Sequence, residues 1–179
     1  MQDRILVIKC KKGNRDALRR IYEKHRQYLF VLAVALSHDK NMAEDAVHDV
    51  FVSFAEKLAE FRLTGSLRAY LSVCVANRIR DLMKSRQNRA VSLEPDCSAA
   101  SDSNEPAGSV VCSEELQQLS SALAKLPAEQ REVITLRIYS RMRFGAIAES
   151  LGISVNTVKG RYRYGINKLR SILNSEVKR

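Results

Sequence analysis

The chain lacks any apolar run approaching the roughly 20 residues that cross a bilayer. Its longest, Tyr28 to Leu36, is about half that, so no membrane insertion is expected. It has few thiols: Cys10, Cys74, Cys97 and Cys112, none in a CxxC pair, and its histidines, His25, His38 and His48, are scattered. That spacing indicates neither a disulfide framework nor a zinc site, and the thiols read as buried or incidental. Sustained strand-like alternation is missing too, which leaves an all-α fold. There is no convergent Ser/His/Asp set, metal cluster or phosphate loop, so binding rather than catalysis is expected, with no cofactor. Met1-Gln2-Asp3-Arg4 leads into a short apolar stretch without a small-residue cleavage site, and a cytoplasmic protein is expected.

Acidic residues are also in deficit, 20 against 30 basic ones over 179 residues, for a net charge of +10. A balance of this size points to a polyanionic partner, nucleic acid or an acidic membrane surface. The charge is unevenly spread. Residues 1–90 carry a net +8 and residues 114–179 a net +6, whereas residues 91–113 hold no Lys or Arg and four acids, Glu94, Asp96, Asp102 and Glu105. That middle stretch is rich in Ser, Asp and Pro and poor in large apolar groups, so it buries too little surface to offset its ordering entropy. It reads as a flexible acidic linker between two small helical domains, 1–90 and 114–179.

In the first block a helix start at Gly13-Asn14 precedes apolar positions Ala17, Leu18, Ile21, Tyr22, Leu29, Leu32, Ala33 and Leu36 at the helical period. His38-Asp39-Lys40-Asn41 interrupts with cap-forming residues. A second helix, Met42 to Phe61, has an apolar stripe of Val47, Val50, Phe51, Phe54, Leu58 and Phe61. Its other face carries Glu44, Asp45, His48, Asp49 and Glu56. This acidic ridge on a basic block reads either as a solvated face with acids favoured near the helix start or as a docking ridge for a basic protein. After the loop Arg62-Leu63-Thr64-Gly65-Ser66, with Ser66 as cap, a third helix runs from Leu67 to about Arg89. Leu67, Tyr70, Leu71, Cys74, Val75, Ile79 and Leu82 form its buried side. Arg68, Asn77, Arg78, Arg80, Lys84, Arg86 and Arg89 form a basic side that suits a phosphate backbone. A Gly-containing loop beside such a helix is able to receive an unstacked base.

In the second block Leu116, Leu119, Leu123 and Leu126 mark one helix. Pro127 opens the next in its preferred first-turn position, with Glu129 and Glu132 at or near the first turn and Val133, Ile134, Leu136 and Ile138 inward. A short helix, Phe144 to Ser150, is followed by the turn Leu151-Gly152-Ile153-Ser154, where Gly152 supplies backbone freedom and Ser154 a cap. The last helix buries Val155, Val158, Tyr162, Ile166, Leu169 and Leu173. It shows Asn156, Lys159, Gly160, Arg163, Asn167 and Arg170, flanked by Thr157, Arg161 and Tyr164. This is a helix-turn-helix whose second helix suits the major groove, where Arg and Lys pair with guanine edges or phosphates and Asn with adenine.

These motifs together resemble the extracytoplasmic-function (ECF) sigma factors of bacterial RNA polymerase, over nearly the whole chain except the linker. Ala43-Glu-Asp-Ala-Val-His-Asp-Val-Phe51 resembles the family's clamp-binding helix. Phe61-Arg-Leu-Thr-Gly-Ser-Leu-Arg-Ala-Tyr-Leu71 with Val75-Ala-Asn-Arg78 resembles its minus-ten-reading segment. Leu126–Leu136 and Ile147–Lys159 resemble its minus-thirty-five domain. The resemblance implies an RNA polymerase sigma factor that binds core polymerase, recognises promoter DNA and promotes its melting. Glu44, Asp45, His48 and Asp49 would dock on the polymerase clamp. Arg62, Leu63, Thr64, Gly65 and Ser66 would capture a flipped minus-ten base, with Arg68, Asn77, Arg80 and Lys84 on the single-stranded non-template strand. Ser154, Asn156, Thr157, Lys159, Arg161, Arg163, Tyr164 and Asn167 would meet the duplex minus-thirty-five element. The linker would thread toward the RNA channel, the second domain would touch the polymerase flap, and an anti-sigma factor is an expected partner. This chain departs from the family in having Tyr70 where Trp is usual, His48 where Gln or a similar residue is common, and Gly160 where Ser is more frequent. Tyr162, Arg163 and Tyr164 also differ from common choices, so base preference is not carried over. Gly165, costing about 1 kcal/mol against Ala within a helix, points to close packing.

Two other readings stand beside this one. A stand-alone helix-turn-helix regulator would bind duplex DNA without polymerase and leave the acidic ridge without a role. A nucleic-acid-processing enzyme would place Mg²⁺ on Glu44, Asp45 and Asp49, but those acids have no further ligand cluster beside them.

Overall fold

The computed structural model describes residues 2–92 and 114–177, and all regular structure there is helical. The first block contains α1 (Gln2–Lys11), α2 (Arg15–Ser37), α3 (Lys40–Glu56), a 3₁₀ turn (Lys57–Ala59) and α4 (Leu67–Ser92). The second contains α5 (Glu114–Ala124), α6 (Ala128–Ile138), α7 (Phe144–Leu151) and α8 (Val155–Val177). The expected linker from residue 93 onward, with Cys97 and Cys112, lies outside the described residues. Cys10 is buried and Cys74 half-buried, both as free thiols.

Local signals set the helix starts. Asn14 caps α2 by accepting from the Ala17 amide at 3.0 Å, and Asp39 caps α3 through the Met42 amide at 3.0 Å. Ser154 caps α8 through the Thr157 amide at 3.0 Å. Gly152 ends α7 in the left-handed conformation at φ +65°, which turns the chain into α8. α2 ends on His38, also left-handed at φ 56°.

α2 is the central helix: Ile21, Leu29, Leu32 and Ala33 are fully buried among α1, α3 and α4. Phe54, Phe61 and Tyr70 form an aromatic cluster, with ring centres 4.7 Å apart for Phe61 and Tyr70. Burial there raises the Tyr70 hydroxyl to about 12. The second block closes over its own core, yet Val133, Leu136, Met142, Ile147 and Val158 join one continuous apolar cluster with α2 and α4. A smaller cluster, Ala122, Leu123, Leu126, Ile134 and Leu169, lies between α5, α6 and α8.

Several elements differ from the sequence reading. α1 was not expected, because Ile5, Leu6, Val7 and Ile8 are contiguous and carry no helical period. It buries Val7 and Cys10 and leaves Ile5 and Ile8 more than half exposed. The helix expected over 42–61 ends at Glu56, and Leu58 reaches the core from a 3₁₀ turn instead. Pro127 stands just outside α6, at its N-cap, rather than as its first helical residue. Ile138, expected inward, is 52% exposed at the last residue of α6, and Val155 is 40% exposed at the first of α8. Both lie at helix ends, where neighbouring elements no longer cover the stripe.

Candidate polymerase and nucleic-acid interfaces

The acidic ridge is built by α3. Its inward face is fully committed, since Ala43, Ala46, Val47, Val50 and Phe51 are buried, and this turns Glu44, Asp45 and His48 outward and exposed. Asp49 is half-buried and bound to α4: Arg78 Nη2 lies 2.6 Å from its Oδ2 and Nε donates at 2.8 Å. Three of the four expected docking residues are thus open to a partner, and the fourth ties the ridge to the basic helix.

The loop Arg62–Ser66 connects the 3₁₀ turn to α4. Arg62, Thr64, Gly65 and Ser66 are exposed, and Leu63 packs partly on the core. Leu63, Gly65 and Ser66, with Leu67, line a cavity of about 320 Å³ whose other wall is Asp3 and Arg4 of α1. Sequence reasoning missed that wall because α1 itself was not expected. Asp3 is fixed there by Lys24 Nζ at 2.6 Å, with Nε2 of buried His25 at 3.5 Å. Burial pushes His25 below its ordinary value against the opposing pull of Asp3, with Lys24 and Arg68 adding to the lowering.

Along α4 the expected basic side is only partly free. Lys84 is exposed. Arg68 Nη2 donates to the Tyr139 carbonyl at 2.7 Å, and its guanidinium lies 3.8 Å from the Tyr28 ring centre. Arg80 donates to the Asn77 carboxamide at 3.1 Å and forms an ion pair with Glu132. Burial raises Glu132 above the usual carboxylate range, partly offset by Arg80 and then Arg161. Sequence reasoning placed Glu132 at a helix start; the structure places it against α4. Nothing in the spacing could have revealed a partner 52 positions away.

The second helix of the helix-turn-helix, α8, is held by Val158 and Leu169 and by Tyr162 against Phe144, with ring centres 5.3 Å apart. Its open face brings together Ser154, Asn156, Thr157, Lys159, Arg163, Tyr164 and Asn167, all exposed. Tyr164 is 60% exposed with the Arg163 guanidinium 5.2 Å from its ring centre. Arg161 stands on the flank and pairs with Glu129 at 2.8 Å. Gly160 faces open space, while Gly165 faces α6, where a Cβ would lie 2.7 Å from Ile134 Cδ1. A basic helix so presented, behind a glycine turn, is shaped for a duplex groove. Among the described residues no His, Cys, Asp and Glu side chains cluster as a metal site, and no helix is long and apolar enough to cross a membrane.

Comparison with known proteins joins these surfaces. The family profile "Sigma-70 region 2" matches residues 21–89, and "Sigma-70, region 4" matches residues 116–169. The chain is 30% identical to the RNA polymerase sigma factor CnrH of Cupriavidus metallidurans, over 97% of this chain and 95% of that one. It is 31% identical to the ECF RNA polymerase sigma factor SigL of Mycobacterium tuberculosis, over 87% and 88%. Among solved structures, CnrH in complex with the cytosolic domain of CnrY aligns with a TM-score of 0.71 at 27% identity, covering 98% of this chain and 99% of that one. The sigma factor RpoE bound to the anti-sigma factor NepR from Bartonella quintana aligns at 0.67 and 25% identity, covering 87% and 98%. With a sigma region at each end and similarity running nearly the full length, the chain belongs to the sigma-70 family of RNA polymerase sigma factors, in its ECF group.

Proposed function

We propose that this protein binds core RNA polymerase, directs it to promoters and promotes their melting. The observation that carries this is the order of surfaces along one chain: an acidic ridge, a cavity-lining loop beside a basic helix, then a basic helix-turn-helix. Residues 1–90 serve the clamp and the minus-ten element, 91–113 connect, and 114–179 serve the minus-thirty-five element. Glu44, Asp45 and His48 dock on the polymerase clamp, with Asp49 oriented by Arg78. The loop Arg62–Ser66 takes an unstacked base, while Arg68, Asn77, Arg80 and Lys84 follow the non-template strand. Unstacking costs a few kcal/mol per base, and phosphate contacts from the net +10 chain offset it. Lys159, Arg163, Tyr164 and Asn167 read the duplex element, Ser154, Asn156 and Thr157 lie at its edge, and Arg161 contacts it from the flank. The work is binding, without catalysis, and is carried out in the cytoplasm. A protein partner of the anti-sigma kind holds the chain inactive, as supported by the two similar structures, in which CnrH is bound to the cytosolic domain of CnrY and RpoE to the anti-sigma factor NepR.

The test is co-purification with bacterial core RNA polymerase, followed by transcription from a promoter library with the reconstituted holoenzyme. Binding together with initiation at defined sites is the expected outcome. A folded chain that binds duplex DNA but never core would replace this reading with a stand-alone regulator.

A further inference from the structure

The cavity beside the loop has a carboxylate in its wall. Leu63, Gly65, Ser66 and Leu67 supply one side of its volume of about 320 Å³, and Asp3 and Arg4 of α1 the other. Ligand cavities run from about 300 to 1,000 Å³, so this one suits a single base. Leu67 is buried and Leu63 half-buried, which gives the flat face of a base an apolar surface.

α1 is fixed at both ends. Asp3 pairs with Lys24 of α2, and Lys11 Nζ donates to the Ala59 carbonyl of the 3₁₀ turn at 3.2 Å. Val7 and Cys10, between these two ties, are buried. The carboxylate is thus in place before a ligand arrives, which spares the cost of ordering it on binding. Lys24 Nζ lies 2.6 Å from its Oδ1, and Nε2 of buried His25 stands 3.5 Å from its Oδ2. With 24% of its side chain exposed, Asp3 is neither sealed off nor free in solvent. A carboxylate has lone-pair sites for about four hydrogen bonds, so acceptor capacity remains for a donor in the cavity.

A carboxylate repels phosphate, and what it suits on a nucleic acid is a donor on a base edge. Cytosine, adenine and guanine each carry an exocyclic amino group. Thymine carries none, and carbonyl oxygens flank its one imide N–H.

We propose that Asp3 reads the base captured by the Arg62–Ser66 loop, accepting a hydrogen bond from an exocyclic amino group and rejecting thymine. Exposed Arg4, on the same wall, contacts the adjoining phosphate. This role rests on the reading of the loop as a base-capturing segment. It adds a specificity-determining residue from a helix outside residues 21–89, the stretch that matches sigma-70 region 2.

The test is transcription by wild-type, Asp3→Asn and Arg4→Ala holoenzymes from a promoter library randomised through the minus-ten element, with the transcripts sequenced. Asp3→Asn keeps the size of the side chain and adds an amide that donates to a thymine carbonyl. Thymine should rise about fivefold to tenfold at one position, the lower end of what a base contact discriminates, with the other positions unchanged. Arg4→Ala should weaken initiation evenly across sequences, as loss of a phosphate contact does. An Asp3 that only pins α1 to α2 through Lys24 would lower the unfolding midpoint on substitution and leave the base profile alone. Identical profiles in wild type and Asp3→Asn, or a change spread over every position, overturn the base-reading role. Should Asp3→Asn fail to fold by circular dichroism, the wild type decides on a promoter with the minus-ten element already melted. There, purine replaces adenine, hypoxanthine replaces guanine and 2-pyrimidinone replaces cytosine, one position at a time, each removing only the amino group or its hydrogen-bonding capacity. Weaker binding at one position supports the role, and equal binding at every position overturns it. A wild type that initiates nowhere removes the sigma reading and this role with it, and is seen before any variant is compared.

Discussion

Gly165 shows how one missing side chain sets a helix crossing. A Cβ there would approach Ile134 Cδ1 to 2.7 Å and Gln130 Cβ to 3.2 Å, and Ile134 is buried with little room to yield. Gly165→Val is therefore expected to destabilise the second block by about 1–3 kcal/mol, the usual cost of overpacking, read as a lower urea midpoint with an unchanged slope. His25 carries a pH dependence. Its native value lies below the ordinary one through burial, so the unfolded chain takes up the proton first. Its contribution is intact above about 6.5 and is lost as pH falls through that value toward the native one. Burial, and then the Arg131 charge, lowers His38 as well. Half-buried Glu132, raised by desolvation, acts with the opposite sign at lower pH. His25→Gln should flatten the fall of unfolding free energy as pH drops below about 6.5; an unaltered slope would assign that fall to other groups.

At the scale of elements, the helix starts were legible and the helix ends less so. Asn14, Asp39 and Ser154 each mark a cap that the structure uses, because capping is local and needs only the next three residues. α8 combines such a cap with an exposed basic face, and its work falls on side chains rather than backbone. Arg163→Ala is expected to weaken duplex minus-thirty-five binding by about 1–3 kcal/mol if the side chain reads a base. A binding isotherm on a selected promoter duplex measures it. A uniform weakening across unrelated duplexes would make Arg163 a phosphate contact, and no change would leave it solvated. α1 was invisible for a physical reason: four contiguous apolar residues, Ile5 to Ile8, fit a buried strand as well as a helix, and only packing of Val7 and Cys10 decides.

For the whole molecule, surface charge separates two kinds of partner. The ridge Glu44, Asp45 and His48 faces outward on a chain of net charge +10, so it repels nucleic acid locally and suits a basic protein. Asp45→Arg is expected to abolish co-purification with core polymerase while leaving the circular dichroism spectrum and the unfolding midpoint unchanged, since Asp45 is exposed and outside the core. Retained binding would move the docking surface off α3.

The helical class, the two basic blocks, the capped helix starts, the helix-turn-helix and the outward direction of the acidic ridge are all written in the order of residues. Each follows from periodicity, capping or charge within a few neighbouring residues. Packing in three dimensions is what lets α1 close the cavity beside the loop, lets Arg78 hold Asp49, and brings Arg68, Arg80 and Arg131 onto groups in the other block. Those partners lie 29 to 95 positions apart, and two of them are backbone carbonyls, which every residue carries alike. No side-chain pattern can announce an acceptor common to the whole chain; its place is set when α6 packs against α2 and α4.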